Sequence, residues 1–330
     1  MARYIIIGAG AVGGTIGARL FESGHDVVLV ARGAHLEALR SNGLRFLTTE
    51  SEAVLSVPAV AGPEELTPGA DDVLILATKT QQSEVALEPW TGYAHPETGR
   101  PPIILAQNGV ANELLALRRF PRVYGMCVWL PAVHLEPGVV EASGVPVSGV
   151  LRLGRYPEGA DGFIRSVADD LEKSGFGAPV DEAVMRWKYA KLLSNLGNAV
   201  EALTGQLDRA AAEVKELLAG IHAEGVAVLD AAGIPYASRE EQAALREQLR
   251  NEQPIGGAAR PGGSSWQSLT RQSGSVEADY LNGEIVLLGR LHGVPTPISE
   301  TLQRLATIAA RERRAPGWLT VAELAGRCVG

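Results

Sequence analysis

Cysteine is scarce. The 330 residues include two, Cys127 and Cys328, and their spacing suits no metal. That excludes a disulfide framework, and two free thiols are the ordinary state of a chain in a reducing compartment. Long apolar runs are also missing. The N-terminal Tyr4-Ile5-Ile6-Ile7 runs straight into glycine, which is too short for a signal-peptide core or for the ~20 apolar residues of a membrane span. Basic residues are not in excess: the net charge is -8 and the pI is near 5.4. Such a balance gives no support to a whole-chain role on nucleic acid or acidic membranes. No internal repeat or low-complexity tract interrupts the chain. The expectation is a cytoplasmic protein without a metal, and a chain of this length suits two domains.

What is present alternates. Short apolar, β-branched runs at 4–7, 26–31, 72–78 and 102–106 read as buried parallel strands, with helical spacing between them at 12–21, 35–41 and 83–87. Further strands are expected at 123–130, 138–142 and 150–153, finishing the same sheet, then a helix at 163–173. From about 181 the texture is helical, with periodic stretches at 184–203, 210–232, 239–250, 277–292 and 299–314. Residues 253–265 are rich in Gly and Pro and break that pattern. The fold class expected is α/β. A Rossmann-type doubly wound sheet occupies residues 1–180, and an all-α domain occupies 181–330.

The first strand ends in Gly8-Ala9-Gly10-Ala11-Val12-Gly13, a G-x-G-x-x-G turn that opens a helix. Gly8 permits the tight turn, Gly10 leaves room for a pyrophosphate, and Gly13 lets helix and strand pack closely. The phosphates then meet N–H groups at the helix N-terminus, where the dipole favours anions. The second strand ends in Val30-Ala31-Arg32-Gly33, placing a cation where an NAD enzyme usually carries Asp or Glu. NADPH is therefore expected over NADH, Arg32 meeting the 2′-phosphate.

Two more strand ends carry polar motifs, Thr78-Lys79-Thr80-Gln81 and Gln107-Asn108-Gly109. In a doubly wound sheet such ends border the ligand crevice. Lys79 can donate to a ribose or a carboxylate there, and Asn108 can donate and accept. Trp187, Lys191 and Asn195 follow one another at one-turn intervals on a single helix face. A lysine and an asparagine on the inner stripe of an apolar helix are costly to bury without partners. The aromatics Trp187 and Trp266 can serve the core or narrow a pocket. Further on stand Ser264-Ser265-Trp266, then Glu277-Ala278-Asp279-Tyr280-Leu281-Asn282-Gly283, then His292-Gly293-Val294-Pro295-Thr296-Pro297.

In this order and spacing the motifs resemble those of the ketopantoate reductases (2-dehydropantoate 2-reductases), over nearly the whole chain. The resemblance implies a 6-phosphogluconate dehydrogenase-like arrangement and NADPH-dependent reduction of a 2-keto acid, ketopantoate to pantoate, in pantothenate biosynthesis. It makes Lys191 the general acid that protonates the carbonyl oxygen, and Glu277 the carboxylate that holds the reacting oxygen and orients the lysine. Ser265 becomes the hydroxyl that binds the substrate carboxylate, with Asn108, Asn195 and Asn198 also on the substrate. Lys79, Gln107 and Asn108 join the glycine turn and Arg32 on the cofactor.

The family usually has a second asparagine two turns after the lysine, but here Asn198 arrives one residue early, about 100° of rotation on a continuous helix. Either Asn198 is the shifted equivalent or Ala199 has replaced it. A third asparagine is missing in Gln206-Leu207-Asp208-Arg209. A different ketone or an imine is thus a competing substrate, and a non-catalytic NADPH-binding regulator is a competing role. Helical back domains of this type can carry dimer contacts, which allows a homodimer.

Overall fold

In the computed structural model, residues 2–248, 251–257 and 261–328 are described. The chain forms two units, Met1–Trp187 with Arg239–Arg260, and Lys188–Ser238 with Pro261–Gly330. Residues 249–250, at the end of the helix expected over 239–250, and 258–260, in the Gly- and Pro-rich stretch, lie outside the described residues.

The first unit runs β1 (Arg3–Ile7), α1 (Ala11–Glu22), β2 (Asp26–Val30), α2 (Gly33–Asn42), β3 (Leu44–Thr48), β4 (Glu52–Leu55), β5 (Ala59–Val60), β6 (Asp72–Leu76), α3 (Ser83–Leu87), β7 (Ile103–Leu105), α4 (Asn112–Leu117), β8 (Val123–Trp129), β9 (Ala132–Val133), β10 (Val139–Ala142), β11 (Gly144–Val145), β12 (Val150–Arg155) and α5 (Gly162–Lys173). Helix α6 (Val184–Asn195) leads into α7 (Asn198–Thr204) and α8 (Ala212–Ala231) of the second unit. The chain returns to the first unit for α9 (Arg239–Gln248) and β13 (Asn251–Glu252), which pairs antiparallel with β11. The second unit ends with α10 (Ser264–Thr270), a 3-10 turn (Glu277–Tyr280), α11 (Asn282–His292), α12 (Pro297–Arg311) and α13 (Val321–Cys328). Its regular elements among the described residues are all helices.

Seven strands form the main sheet, in the order β12-β8-β7-β6-β1-β2-β5. Only β12, against β8, is antiparallel. Alternation explains why the central strands are apolar at every position. Tyr4, Ile6, Val27, Leu29, Val73 and Ile75 belong to one core cluster, with residues of α1 and α5. Ile5, Ile7, Val28, Val30, Leu74 and Leu76 belong to another, with Leu87, Trp90 and Phe120. Both faces are covered, as a parallel sheet requires. Each fully buried branched side chain contributes about 1.5–3 kcal/mol.

Polar ties fix the strand ends. Arg3 donates from Nε and a terminal nitrogen to the two oxygens of buried Asp72, each at 2.8 Å, and the Tyr93 hydroxyl donates to Asp72 at 2.7 Å. Tyr4 donates to Asp170 of α5 at 2.6 Å; burial first, then that bond, raises its pKa above the ordinary tyrosine value.

Two expectations are corrected. The stretch 138–142 does not finish the main sheet: β10 pairs parallel with β3 in a separate four-stranded sheet, β4-β3-β10-β9. The reason is packing. Val140 lies fully buried on α1, where a side chain at Gly14 would come within 2.7 Å of it. The helix expected over 184–203 is two helices, broken at Leu196-Gly197. Buried Asn282 donates its side-chain N–H to the Leu196 carbonyl at 3.1 Å, which satisfies an acceptor that the break frees.

Candidate functional site

The register of the main sheet aligns the strand ends. Ile7 is paired with Val30 and with Leu76, and Leu76 with Leu105, so four strands stop in one row. The next residues are Gly8, Ala31, Ala77 and Ala106. Every cofactor residue expected from the sequence follows within a few positions: the glycine turn, Arg32, Lys79, Gln107 and Asn108. The strand order turns back between β1 and β6, which is the switch point where such sheets bind ligands.

The three glycines do different work. Gly8 has φ +101°, and a side chain there would strike the Thr78 backbone at 2.9 Å. At Gly13 a side chain would come within 2.1 Å of the Gly8 carbonyl and 2.9 Å of Ala77 and Ile6. Gly10 is unlike both: its missing side chain would meet only His134, at 3.9 Å. Protein packing therefore demands the first and third glycines but not the second. Gly10 is the N-cap of α1 and supplies no side-chain cap, so the helix N-terminus is open to an anion. Nearby, Thr78 Oγ1 and Gln107 Oε1 are buried and have no hydrogen-bond partner among the described residues. This donor set, the bare turn and the orphaned acceptors fit a dinucleotide.

Gln107 donates to Ser83 at 3.2 Å, and buried Asn112 donates to Thr80 at 3.0 Å, which braces the loops bearing Asn108 and Lys79. Arg32 is exposed at the N-cap of α2. Among the described residues, no cluster of three His, Cys, Asp or Glu is arranged for a metal.

The second unit carries the remaining expected residues. Lys191 is half-buried and Asn195 is buried, one turn apart on α6. Asn195 Nδ2 has no partner among the described residues. Such a donor costs about 1–3 kcal/mol unless something fills its place. Glu277 is buried at the start of the 3-10 turn, and Ser265 is buried in the first turn of α10. Asn198 opens α7, and Ala199 beside it is buried in apolar packing. A side chain on Gly263, the N-cap of α10, would lie 2.8 Å from Glu201 and 3.7 Å from Asn198 Oδ1. The structure thus brings Asn198 to the end of α10 that holds Ser265. Glu201, absent from the sequence reading, accepts from the Gly263 N–H at 3.0 Å.

Trp187 is a core aromatic of the first unit. Its ring lies 3.8 Å under the Arg152 guanidinium, and its indole N–H donates to Asp181 at 2.7 Å. The buried turn of α11 carries Glu284, whose carboxyl is pushed up by burial.

Family models match both halves of the chain: "Ketopantoate reductase PanE/ApbA" over residues 4–158 and "Ketopantoate reductase PanE/ApbA C terminal" over residues 183–309. The chain belongs to the ketopantoate reductase family. Among its relatives, the 2-dehydropantoate 2-reductase of Mesorhizobium japonicum is 30% identical over 341 residues, covering 94% of this chain and 98% of its own. That of Pyrococcus horikoshii is 28% identical over 316 residues, covering 92% and 96%. The crystal structure of a ketopantoate reductase from Ralstonia eutropha superposes with a TM-score of 0.77 at 26% identity, covering 94% of this chain and 99% of its own. A D-mandelate dehydrogenase in complex with NADH does so at 0.73 and 25%, covering 94% and 100%. This ketopantoate reductase relative is thus an oxidoreductase acting on CH–OH groups, with the α/β-then-helical architecture of its family.

Proposed function

We propose that the chain reduces a 2-keto acid with NADPH, 2-dehydropantoate to pantoate being the leading case. The reading is carried by one observation: Asn195 Nδ2, buried and without a partner among the described residues, on the helix face that bears Lys191. A folded chain keeps such a donor where a ligand completes it.

The cofactor part rests on the open N-terminus of α1, the side-chain gap at Gly10, and the Arg32 cation at the end of β2. Arg32 selects the 2′-phosphate, and Lys79, Gln107 and Asn108 hold the ribose and nicotinamide side. A bound reduced nicotinamide supplies hydride to the carbonyl carbon. Lys191 delivers the proton to the carbonyl oxygen, where an unneutralised negative charge in a dry site would be costly. Glu277 orients the ammonium group, Ser265 takes the substrate carboxylate, and Asn195 and Asn198 take its distal polar groups.

The second reading, the same chemistry on another ketone or an imine, is favoured by the broken helix. Asn198 sits on α7, beside Glu201, rather than on a continuation of α6. A panel of 2-keto acids, ketones and cyclic imines, assayed by oxidation of NADPH and of NADH, decides among them. Ketopantoate with NADPH should give the highest kcat/KM. An aryl keto acid with NADH ahead of it would replace the reading, since the D-mandelate dehydrogenase of this fold binds NADH. We extend to this chain the homodimer of the Staphylococcus aureus ketopantoate reductase, to be checked by light scattering.

A further inference from the structure

The glycine turn is held by an imidazole that neither the motif nor the family resemblance assigns. His35, in the first turn of α2, places Nε2 2.8 Å from the Ala9 carbonyl, and its Nδ1 accepts from the Gly138 N–H at 2.9 Å. These two hydrogen bonds define the tautomer. Gly138 N–H needs a lone pair on Nδ1, so Nε2 carries the proton and donates to Ala9. The ring is backed by His134, 4.4 Å away between centroids, whose own Nδ1 is 2.9 Å from the Val139 carbonyl.

Consider what this does to the turn. The Gly8 and Ala9 N–H groups are both turned into the sheet, onto the Val30 carbonyl, at 3.1 and 3.3 Å. The first N–H left for a phosphate is therefore that of Gly10. It shares a planar trans peptide with the Ala9 carbonyl, so the two point in opposite directions. By anchoring that carbonyl, His35 aims the Gly10 N–H the other way. Two glycines flank Ala9, and glycine lets a peptide rotate at little cost. Without the anchor, the Ala9–Gly10 peptide samples other orientations, and the diphosphate must select one.

We propose that His35 is a positioning residue for dinucleotide binding, acting through the Ala9–Gly10 peptide, with His134 as its buttress. The inference rests on the dinucleotide part of the function proposed above, and not on which dinucleotide binds.

The test is fluorescence titration of NADPH and NADH, with adenosine 2′-phosphate, which lacks the diphosphate, as a competing probe. His35→Ala should raise Kd for both dinucleotides about fivefold to tenfold, the worth of one hydrogen bond, and leave the adenosine 2′-phosphate Kd unchanged. His35→Gln keeps a donor near the Nε2 position and should restore most of the dinucleotide affinity. His35→Asn keeps only an acceptor for Gly138 and should behave like alanine. Equal weakening of adenosine 2′-phosphate would make His35 a merely structural residue and overturn the inference. So would unchanged dinucleotide affinity in His35→Ala, or a glutamine variant no better than asparagine. If the wild-type chain binds NADH and not NADPH, the cofactor choice fails while the His35 effect is read with NADH. If it binds neither, both fall.

Discussion

Replacing Arg32 by alanine reads the cofactor choice directly. Arg32 is exposed, lies at the N-cap of α2 with extended backbone, and makes no capping bond through its side chain. Its removal should therefore leave α2 intact, since arginine and alanine are equally poor caps. On the function proposed above, what is lost is one cation facing the 2′-phosphate. Two unit charges about 4 Å apart interact by about 1 kcal/mol in bulk water and about 4 kcal/mol at an effective dielectric near 20. An exposed guanidinium belongs toward the lower half of that range, so about 2 kcal/mol, or roughly 30-fold in Kd, is expected. Binding should not vanish, because the α2 N-terminus still offers N–H groups to the phosphate. Fluorescence titration at low and high salt measures it. NADPH affinity should fall about 30-fold and lose part of its salt dependence, while NADH affinity changes less than about twofold. Equal losses for the two dinucleotides, or none for NADPH, would refute the reasoning.

Lys191→Ala should lower kcat by two to four orders of magnitude, on the order of what a positioned acid supplies, with NADPH Kd almost unchanged; steady-state kinetics and titration separate the two. Asn195→Leu removes a buried donor that lacks a partner among the described residues, so it should raise the melting temperature of the free protein while raising substrate KM about tenfold or more. Glu284 supplies a pH prediction. Its folded carboxyl is raised above the ordinary value by burial, so the stability it contributes is present below the unfolded carboxylate pKa and is lost as pH rises through the folded one. Denaturant titrations across that interval should show wild type losing stability with rising pH and Glu284→Gln losing less.

The central strands and the dinucleotide turn are legible because each follows from local rules. A run such as Asp26-Val27-Val28-Leu29-Val30 can satisfy its apolar residues only in a sheet covered on both faces, and G-x-G-x-x-G is needed only where backbone, helix and phosphate converge. The second sheet is less legible. Leu44-Arg45-Phe46-Leu47 is short, and its partner β10 lies far along the chain, so nothing local announces the pairing. His35 escapes for the same reason. Its position three residues beyond Arg32 is a hint, but its hydrogen-bond partner Gly138 lies 103 residues away. The second unit shows the limit most clearly. Helical periodicity runs through 184–203, Gly197 is the one local sign of a stop, and the hydrogen bond from Asn282 shows how the end is held.

That break changes how the asparagines proposed for the substrate are compared with the family. A one-residue offset means about 100° of rotation only on a continuous helix. Here α6 stops at Asn195 and α7 starts at Asn198, so the direction of Asn198 is set by α7 and by its packing on α10 and α12. Asn282 holds the junction through the Leu196 carbonyl, with both residues buried. Asn282→Ala would leave that acceptor without its partner, at a cost of about 1–3 kcal/mol, or a drop in melting temperature of roughly 4–12 °C for a unit of this size. Because the junction lies between Asn195 and Asn198, substrate KM should rise as well, while NADPH Kd, set in the first unit, stays constant. If melting falls but KM does not move, the junction is only a stability element, and the two asparagines do not act on one substrate.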